Sequence, residues 1–269
     1  MSEVIGFVGA GQMGEPMVGR LIDGGHRVVL FARRPEVRER LQQRGAELAD
    51  SVADLASRAD IVIVCTFSDT QLVEVVGGAD GLMANAKPGA VVVSHATGTV
   101  ATLEKLAAEF PGGPTLLDAP VSGSADEIKA GELTVLFGGD DAAVARVEPV
   151  LAAYAQPIIR TGGLGTALNL KLVNNILFAA NAQLVAAAVE LGERLGVRDA
   201  QFLEALSVCS ARSYAASSIH LIGGPTPFVD VAGPFLRKDV AACVAAAANT
   251  GTDLGWLHTV VESGPLSLS

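Results

Sequence analysis

Between residues 4 and 160 the apolar positions fall into short unbroken runs, each followed by a stretch in which they recur every three or four residues. The runs at Val4–Val8, Arg27–Phe31, 61–65, 90–94 and 115–117 read as strands buried on both faces. The stretches up to Ile22 and over 36–44, 70–76 and 99–109 read as helices, and 133–137, 140–153 and 157–160 complete this half. Strands spaced by helices predict a mainly parallel, doubly wound α/β sheet. Beyond Arg160 the period turns helical and stays so over 162–195, 199–207, 211–221 and 234–248, with a break at residues 223–227. The expected architecture is an α/β domain over 1–161 and an all-α domain over 162–269, begun by a long interdomain helix.

That helix opens on Gly162, Gly163 and Gly165 and then runs without proline or further glycine to Gly192. At 1.5 Å per residue it spans on the order of 40 Å, more than one small domain needs. Nearly every face is Ala, Leu, Val or Ile, so we expect burial all round, in a core or between subunits. Lys171, Asn174 and Asn175 interrupt the apolar background at spacings that put them on one face. Polar groups on such a helix need partners. A ligand pocket is one answer. A lysine reaching solvent and amides capping a neighbouring loop is the other.

The first strand ends at Gly9-Ala10-Gly11-Gln12-Met13-Gly14, and a helix follows. Within a strand–turn–helix unit these glycines have distinct tasks. Gly9 permits the tight turn, Gly11 lets the backbone approach a pyrophosphate, and Gly14 allows close helix–strand packing. The phosphates then lie on the helix N-terminus. This makes the first half a Rossmann-type dinucleotide-binding domain. After the second strand, where an acid would bond a ribose 2′-hydroxyl, the chain has Ala32-Arg33-Arg34 and no acid before Glu36. Two guanidinium groups there suit a 2′-phosphate, so NADP(H) is favoured over NAD(H), which stays possible.

Ligands of such sheets bind beyond the carboxyl ends of the strands. Those ends carry Thr66 and Phe67, then His95 and Thr97, then Ser122-Gly123-Ser124, a loop whose hydroxyls and N–H groups suit a carboxylate. A lone histidine such as His95 is expected to be a packed loop residue.

Composition narrows the partners. The 269-residue chain is half apolar, with a net charge of −10, which argues against nucleic acid or an anionic membrane. Cys65, Cys209 and Cys243 are scattered among apolar residues and read as reduced core thiols, with no metal or disulfide framework. No basic segment opens the chain, and polar residues interrupt the long helix, so a soluble, cytoplasmic protein is expected. The apolar helix and the Ala-rich segment 241–248 suggest a homodimer or homotetramer.

Four stretches in register, GFVGAGQMGEPMVGRL, DAPVSGSADEIKAGELTVLFGG, GGLGTALNLKLVNN and FLRKD, together resemble the β-hydroxyacid dehydrogenase family, the 3-hydroxyisobutyrate dehydrogenase-like enzymes of the 6-phosphogluconate dehydrogenase superfamily. The resemblance implies hydride transfer between a nicotinamide cofactor and a small β-hydroxyacid or its semialdehyde. It implies that Lys171 is the general acid/base and that Asn175 helps position lysine and substrate. Ser122, Gly123 and the Ser124 backbone would hold the substrate carboxylate, while Thr97, Lys238 and Met13 would lie by the cofactor.

The chain departs from the family at four places. Ser124 replaces a glycine, which shrinks the acid pocket or adds a donor. Ser94-His95-Ala96 precedes Thr97 where the family commonly has an Asp and a Ser. Ala32 stands where an Asn is common, and the chain ends soon after Trp256, which puts the C-terminal closure of the pocket in question. Asn174 stands where 6-phosphogluconate dehydrogenases have histidine. Two alternatives remain: imine reduction on the same scaffold, which Lys171 argues against, and a silent NADP-binding module.

Overall fold

The structure is a computed structural model and describes residues 3–268. Two compact units divide between Lys171 and Leu172. In the first, strands β1 (Val4–Val8), β2 (Arg27–Phe31), β3 (Glu47–Leu48), β4 (Ile61–Val64), β5 (Val91–Ser94), β6 (Thr115–Asp118), β7 (Val121–Ser122), β8 (Leu133–Gly138) and β9 (Ala155–Gly162) form one sheet in the order β3-β2-β1-β4-β5-β6-β8-β7, with β9 on β8. The strands from β3 to β6 run parallel, whereas β8 runs antiparallel to β6 and β7. The helices of this unit are α1 (Gly14–Asp23), α2 (Pro35–Gln43), α3 (Val52–Arg58), α4 (Asp69–Val76), α5 (Leu82–Asn85), α6 (Val100–Glu109), α7 (Ala125–Ala130) and α8 (Asp141–Leu151). Two apolar clusters flank the sheet, one around Phe7, Leu30 and Phe137, the other around Leu55, Val62 and Val92. The doubly wound, mainly parallel sheet is as the alternation predicts.

In this unit five short elements escape the pattern: β3, α3, α5, β7 and α7. Each is too short to show a period. The start of α3 does carry a local signal, because the Ser51 hydroxyl accepts from the Asp54 N–H.

The helical half contains α9 (Thr166–Arg194), α10 (Asp199–Leu206), α11 (Tyr214–Ile222), α12 (Pro225–Thr250) and α13 (Gly255–Ser263). Helix α12 starts at Pro225, nine residues before the expected start at Pro234. Pro225 and Pro227 lie in its first turn, where N–H groups have no helical acceptor, so proline costs little there. Pro234 sits inside the helix and forgoes one backbone bond. Helix α11 begins at Tyr214 rather than 211, capped by the Ser213 hydroxyl on the Ala216 N–H.

Within the single chain α9 is buried on one face only, which leaves the subunit alternative of the expectation for the other. One face, with Leu172, Ile176, Ala179 and Val185, forms the core of the helical unit. The opposite face leaves Leu170, Val173, Leu177, Leu184 and Leu191 between 44% and 58% exposed. Among the described residues α9 is long and apolar enough to cross a membrane, with mean hydropathy 1.6, yet 56% of its most apolar window is buried within the protein. From its middle, buried Gln183 donates to the Val261 and Leu266 carbonyls at 2.8 and 2.7 Å and accepts from the Leu266 N–H at 2.7 Å. The tail after α13 is thereby fixed, with Leu268 buried. Cys209 is exposed, not a core thiol, whereas Cys243 is buried.

Candidate functional site

In the α/β unit the glycine loop has the steric signature of a phosphate cradle. Gly9 has φ +98°, and a Cβ there would stand 2.2 Å from the Cys65 carbonyl oxygen. A Cβ on Gly14 would stand 2.2 Å from the Gly9 carbonyl oxygen, whereas Gly11 has nothing within 4 Å. The crowded glycines shape the turn, and the open one admits a ligand. No side chain caps the N-terminus of α1; the Glu15 N–H goes to the Gly11 carbonyl at 3.0 Å and Pro16 has none, so the N–H groups of the Gln12-Met13-Gly14 turn are the ones left for an anion. These features fit a dinucleotide pyrophosphate.

A cleft of about 350 Å³ adjoins this loop and brings together Gly9, Ala10, Gly11, Arg33, Arg34, Thr66 and Phe67. Gln12 instead faces a neighbouring groove, and Met13 packs partly buried against the core. Thr97 lies half-buried in the loop after β5. The two arginines differ in their commitments. Arg34 donates to the Ala10 carbonyl at 3.2 Å and approaches Glu36 at 3.9 Å, while Arg33 is exposed at the cleft. Ala32 beside it is buried and offers no acceptor for a ribose hydroxyl.

The strand ends are tied together by polar contacts. Asp69 accepts from the Thr99 N–H and hydroxyl at 3.0 and 3.2 Å and from the Thr102 hydroxyl at 2.9 Å, joining the start of α4 to the loop that carries Thr97. The Thr66 hydroxyl is buried at the cleft with no partner among the described residues, as a ligand contact would leave it. His95 is buried: its Nδ1 lies 2.5 Å from the Ala119 carbonyl oxygen and its Nε2 2.7 Å from the Tyr154 hydroxyl. A carbonyl can only accept, so the proton is assigned to Nδ1 and Tyr154 donates to Nε2. Burial pushes the imidazole down to about 4, so it is neutral at pH 7. It does not line the cleft. It secures the strand from which the Ser122 loop departs.

Asp118, at the end of β6, is the residue that sequence reasoning missed most clearly. Its two carboxylate oxygens accept from the Gly165 and Leu168 N–H groups, both at 2.8 Å. They cap the start of α9 from across the sheet, one turn before Lys171. Burial raises the carboxyl group's pKa against the pull of those N–H groups.

The loop that follows Asp118 is held by β8, with Val121 opposite Val135 and Ser122 opposite Thr134. Ser122 and Gly123 are exposed. Ser124 is otherwise engaged: it caps α7, and Glu127 accepts from both its N–H, at 2.7 Å, and its hydroxyl. The glycine-to-serine departure is therefore a capping box, written in the sequence as Ser-x-x-Glu. The Ser124 N–H expected for a substrate carboxylate is already committed.

In the helical unit Asn175 is buried and donates to Asp239 Oδ2 at 2.7 Å, while its own oxygen accepts from Asn174 at 3.1 Å. Asp239 also pairs with Lys238 at 3.2 Å. Asp239 thus joins two of the expected site residues. The signal for it was a buried amide on an apolar helix, which demands a partner. Among the described residues no cluster of His, Cys, Asp or Glu could hold a metal ion.

Comparison with known proteins bears on both halves. A family profile described as the NAD-binding domain of 6-phosphogluconate dehydrogenase matches residues 4–163. A second, described as NAD-binding of NADP-dependent 3-hydroxyisobutyrate dehydrogenase, matches residues 165–263. The chain belongs to the 3-hydroxyisobutyrate dehydrogenase family. It is 30% identical over 259 residues to the mitochondrial 3-hydroxyisobutyrate dehydrogenase of Rattus norvegicus, covering 93% of this chain and 77% of that one. An uncharacterised oxidoreductase of Shewanella frigidimarina is 32% identical over 93% of this chain and 87% of its own. The structure of Mycobacterium tuberculosis 3-hydroxyisobutyrate dehydrogenase with L-serine superposes with a TM-score of 0.85 at 25% identity, over 97% of this chain and 92% of that one. An imine reductase of Streptomyces aurantiacus shares the fold alone, with a TM-score of 0.68 at 20% identity over 97% and 92% of the two chains. As a member of this family the protein is an NAD(P)-binding oxidoreductase.

Proposed function

We propose that this oxidoreductase transfers hydride between NADP(H) and a small β-hydroxyacid or the corresponding semialdehyde, with Lys171 as general acid/base. One observation carries the reading. Asp118 ties the end of β6, from which the Ser122 loop departs, to the first turn of α9, on which Lys171 stands. The Ser122 loop and Lys171 thus belong to one compact unit with the cleft beside the glycine loop, which supports the reading. Orientation of this kind is what a hydride transfer needs from its protein.

The bound nicotinamide supplies or accepts the hydride. The glycine loop and the N-terminus of α1 would hold its pyrophosphate, and Arg33 would hold the 2′-phosphate that Ala32 leaves uncontested. In the reducing direction Lys171 polarises the carbonyl and protonates the nascent alkoxide, and in the oxidising direction it takes that proton back. Asn175, one helical turn on and fixed by Asp239, orients the lysine and the reacting oxygen. Thr97 would contact the cofactor in this reading, and the Ser122 hydroxyl and Gly123 backbone would take the substrate carboxylate.

Imine reduction is the second reading, supported by the shared fold. Lys171 weighs against it, since an ammonium acid suits an alkoxide.

The test is Lys171→Ala. It should lower turnover by about 100- to 10,000-fold, the range of a lost general acid, while NADPH affinity stays within a factor of about three. Parallel loss of both would overturn the assigned role.

A further inference from the structure

The loop expected to receive the substrate acid already has a carboxylate on it. Glu127 accepts from the Ser124 N–H at 2.7 Å and from the Ser124 hydroxyl, which itself accepts from the Asp126 N–H at 3.2 Å. These bonds hold the Glu127 carboxyl below its ordinary range, so it is charged at neutral pH. The charge lies against the loop: a Cβ built on Gly123 would be 3.5 Å from Glu127 Cδ. Asp126 beside it is neutralised by Lys129 at 2.8 Å, whereas no Lys, Arg or His pairs with Glu127 among the described residues. A ligand at Ser122 and Gly123 thus meets one donor fewer and one negative charge more than a bare glycine loop would offer.

We propose that Glu127 is a specificity-determining residue of the substrate loop, disfavouring a plain carboxylate and favouring a hydroxyacid that carries an ammonium group beside it. The inference rests on the proposed function only in taking Ser122 and Gly123 as the acid-binding positions. The physical basis is electrostatic. A second carboxylate about 6 Å away at an effective dielectric near 40 is disfavoured about tenfold, and an α-ammonium group offsets that repulsion by pairing with Glu127.

Glu127→Gln isolates the charge. Glutamine retains the capping box, because its amide oxygen still accepts from Ser124. Calorimetry on the NADP(H)-loaded full chain would compare 3-hydroxyisobutyrate, a plain hydroxyacid, with L-serine, which adds the ammonium group. Glu127→Gln should bind 3-hydroxyisobutyrate about tenfold more tightly, bind L-serine no better, and leave NADPH affinity unchanged. A merely structural role predicts the same change, or none, for both ligands, and either result overturns the proposal. The turnover of each acid separates this inference from the reading beneath it. Wild-type turnover of an acid with no selective change in the variant refutes the role of Glu127 alone. Selective gain of acid binding without turnover in either protein supports that role and refutes the dehydrogenase reading. Failure of both proteins to bind either acid refutes both.

Discussion

Replacing His95 with asparagine should make the protein less sensitive to acid. The imidazole has its pKa at about 4 in the folded chain, against an ordinary value of 6.5, and burial is the cause. Above pH 6.5 both folded and unfolded chains hold the ring neutral, so it adds no pH dependence. As the pH falls below 6.5 the unfolded chain takes up a proton that the folded chain refuses, and stability drops. The loss levels off below about pH 4, at about 3 kcal/mol in total, and it has reached about 2 kcal/mol at pH 5. Asparagine places an amide near Nδ1, so the bond to the Ala119 carbonyl persists while the titration disappears. Urea unfolding of both proteins at pH 7.5 and pH 5 measures the difference. Carboxylates held low by ion pairs, such as Glu15 with Arg40, also lose stability in acid, but mostly below pH 5 and equally in both proteins. The wild type should lose about 2 kcal/mol more than His95→Asn between the two pH values. Equal losses would refute a buried neutral imidazole.

Three further outcomes follow from the geometry. Arg33→Ala should raise the Kd for NADPH by roughly 10- to 100-fold with little effect on NADH, and Arg34→Ala should do less because Arg34 is tied to Ala10; fluorescence titration with both cofactors checks this, and a larger effect at Arg34 would reverse the assignment. Asp118→Asn should cost about 1–3 kcal/mol in denaturant unfolding by turning an amide group toward buried N–H donors, and should raise KM for the substrate acid by loosening α9 from β6. The exposed α9 residues Leu170, Leu177, Leu184 and Leu191 recur every seven positions, the spacing of a helix–helix seam; light scattering should find at least twice the 27.4 kDa chain mass, and Leu177→Glu with Leu184→Glu should reduce it.

Much of the α/β half is legible in sequence because its strands are buried on both faces and its glycine turn has few physical alternatives. Lys171 and Asn175 were visible as polar breaks in an apolar helix. Their supports were not. Asp118 reaches Gly165 across 47 residues, His95 reaches Tyr154 across 59, and Asn175 reaches Asp239 across 64. Local periodicity carries no information about such pairings. The buried and exposed faces of α9 are both made of aliphatic residues, so composition alone reads it as buried all round. The Ser124 cap is local and readable as Ser-x-x-Glu, although the same small-residue loop also fits an anion nest.

The most direct measurement is turnover of 3-hydroxyisobutyrate, serine, glycerate, 4-hydroxybutyrate, glyoxylate, succinic semialdehyde and one cyclic imine, followed at the nicotinamide absorbance with NADP(H) and NAD(H) in parallel. At least one acid should be oxidised or reduced, and faster with NADP(H). Turnover of the imine alone, or cofactor binding with no turnover of any compound, would contradict it.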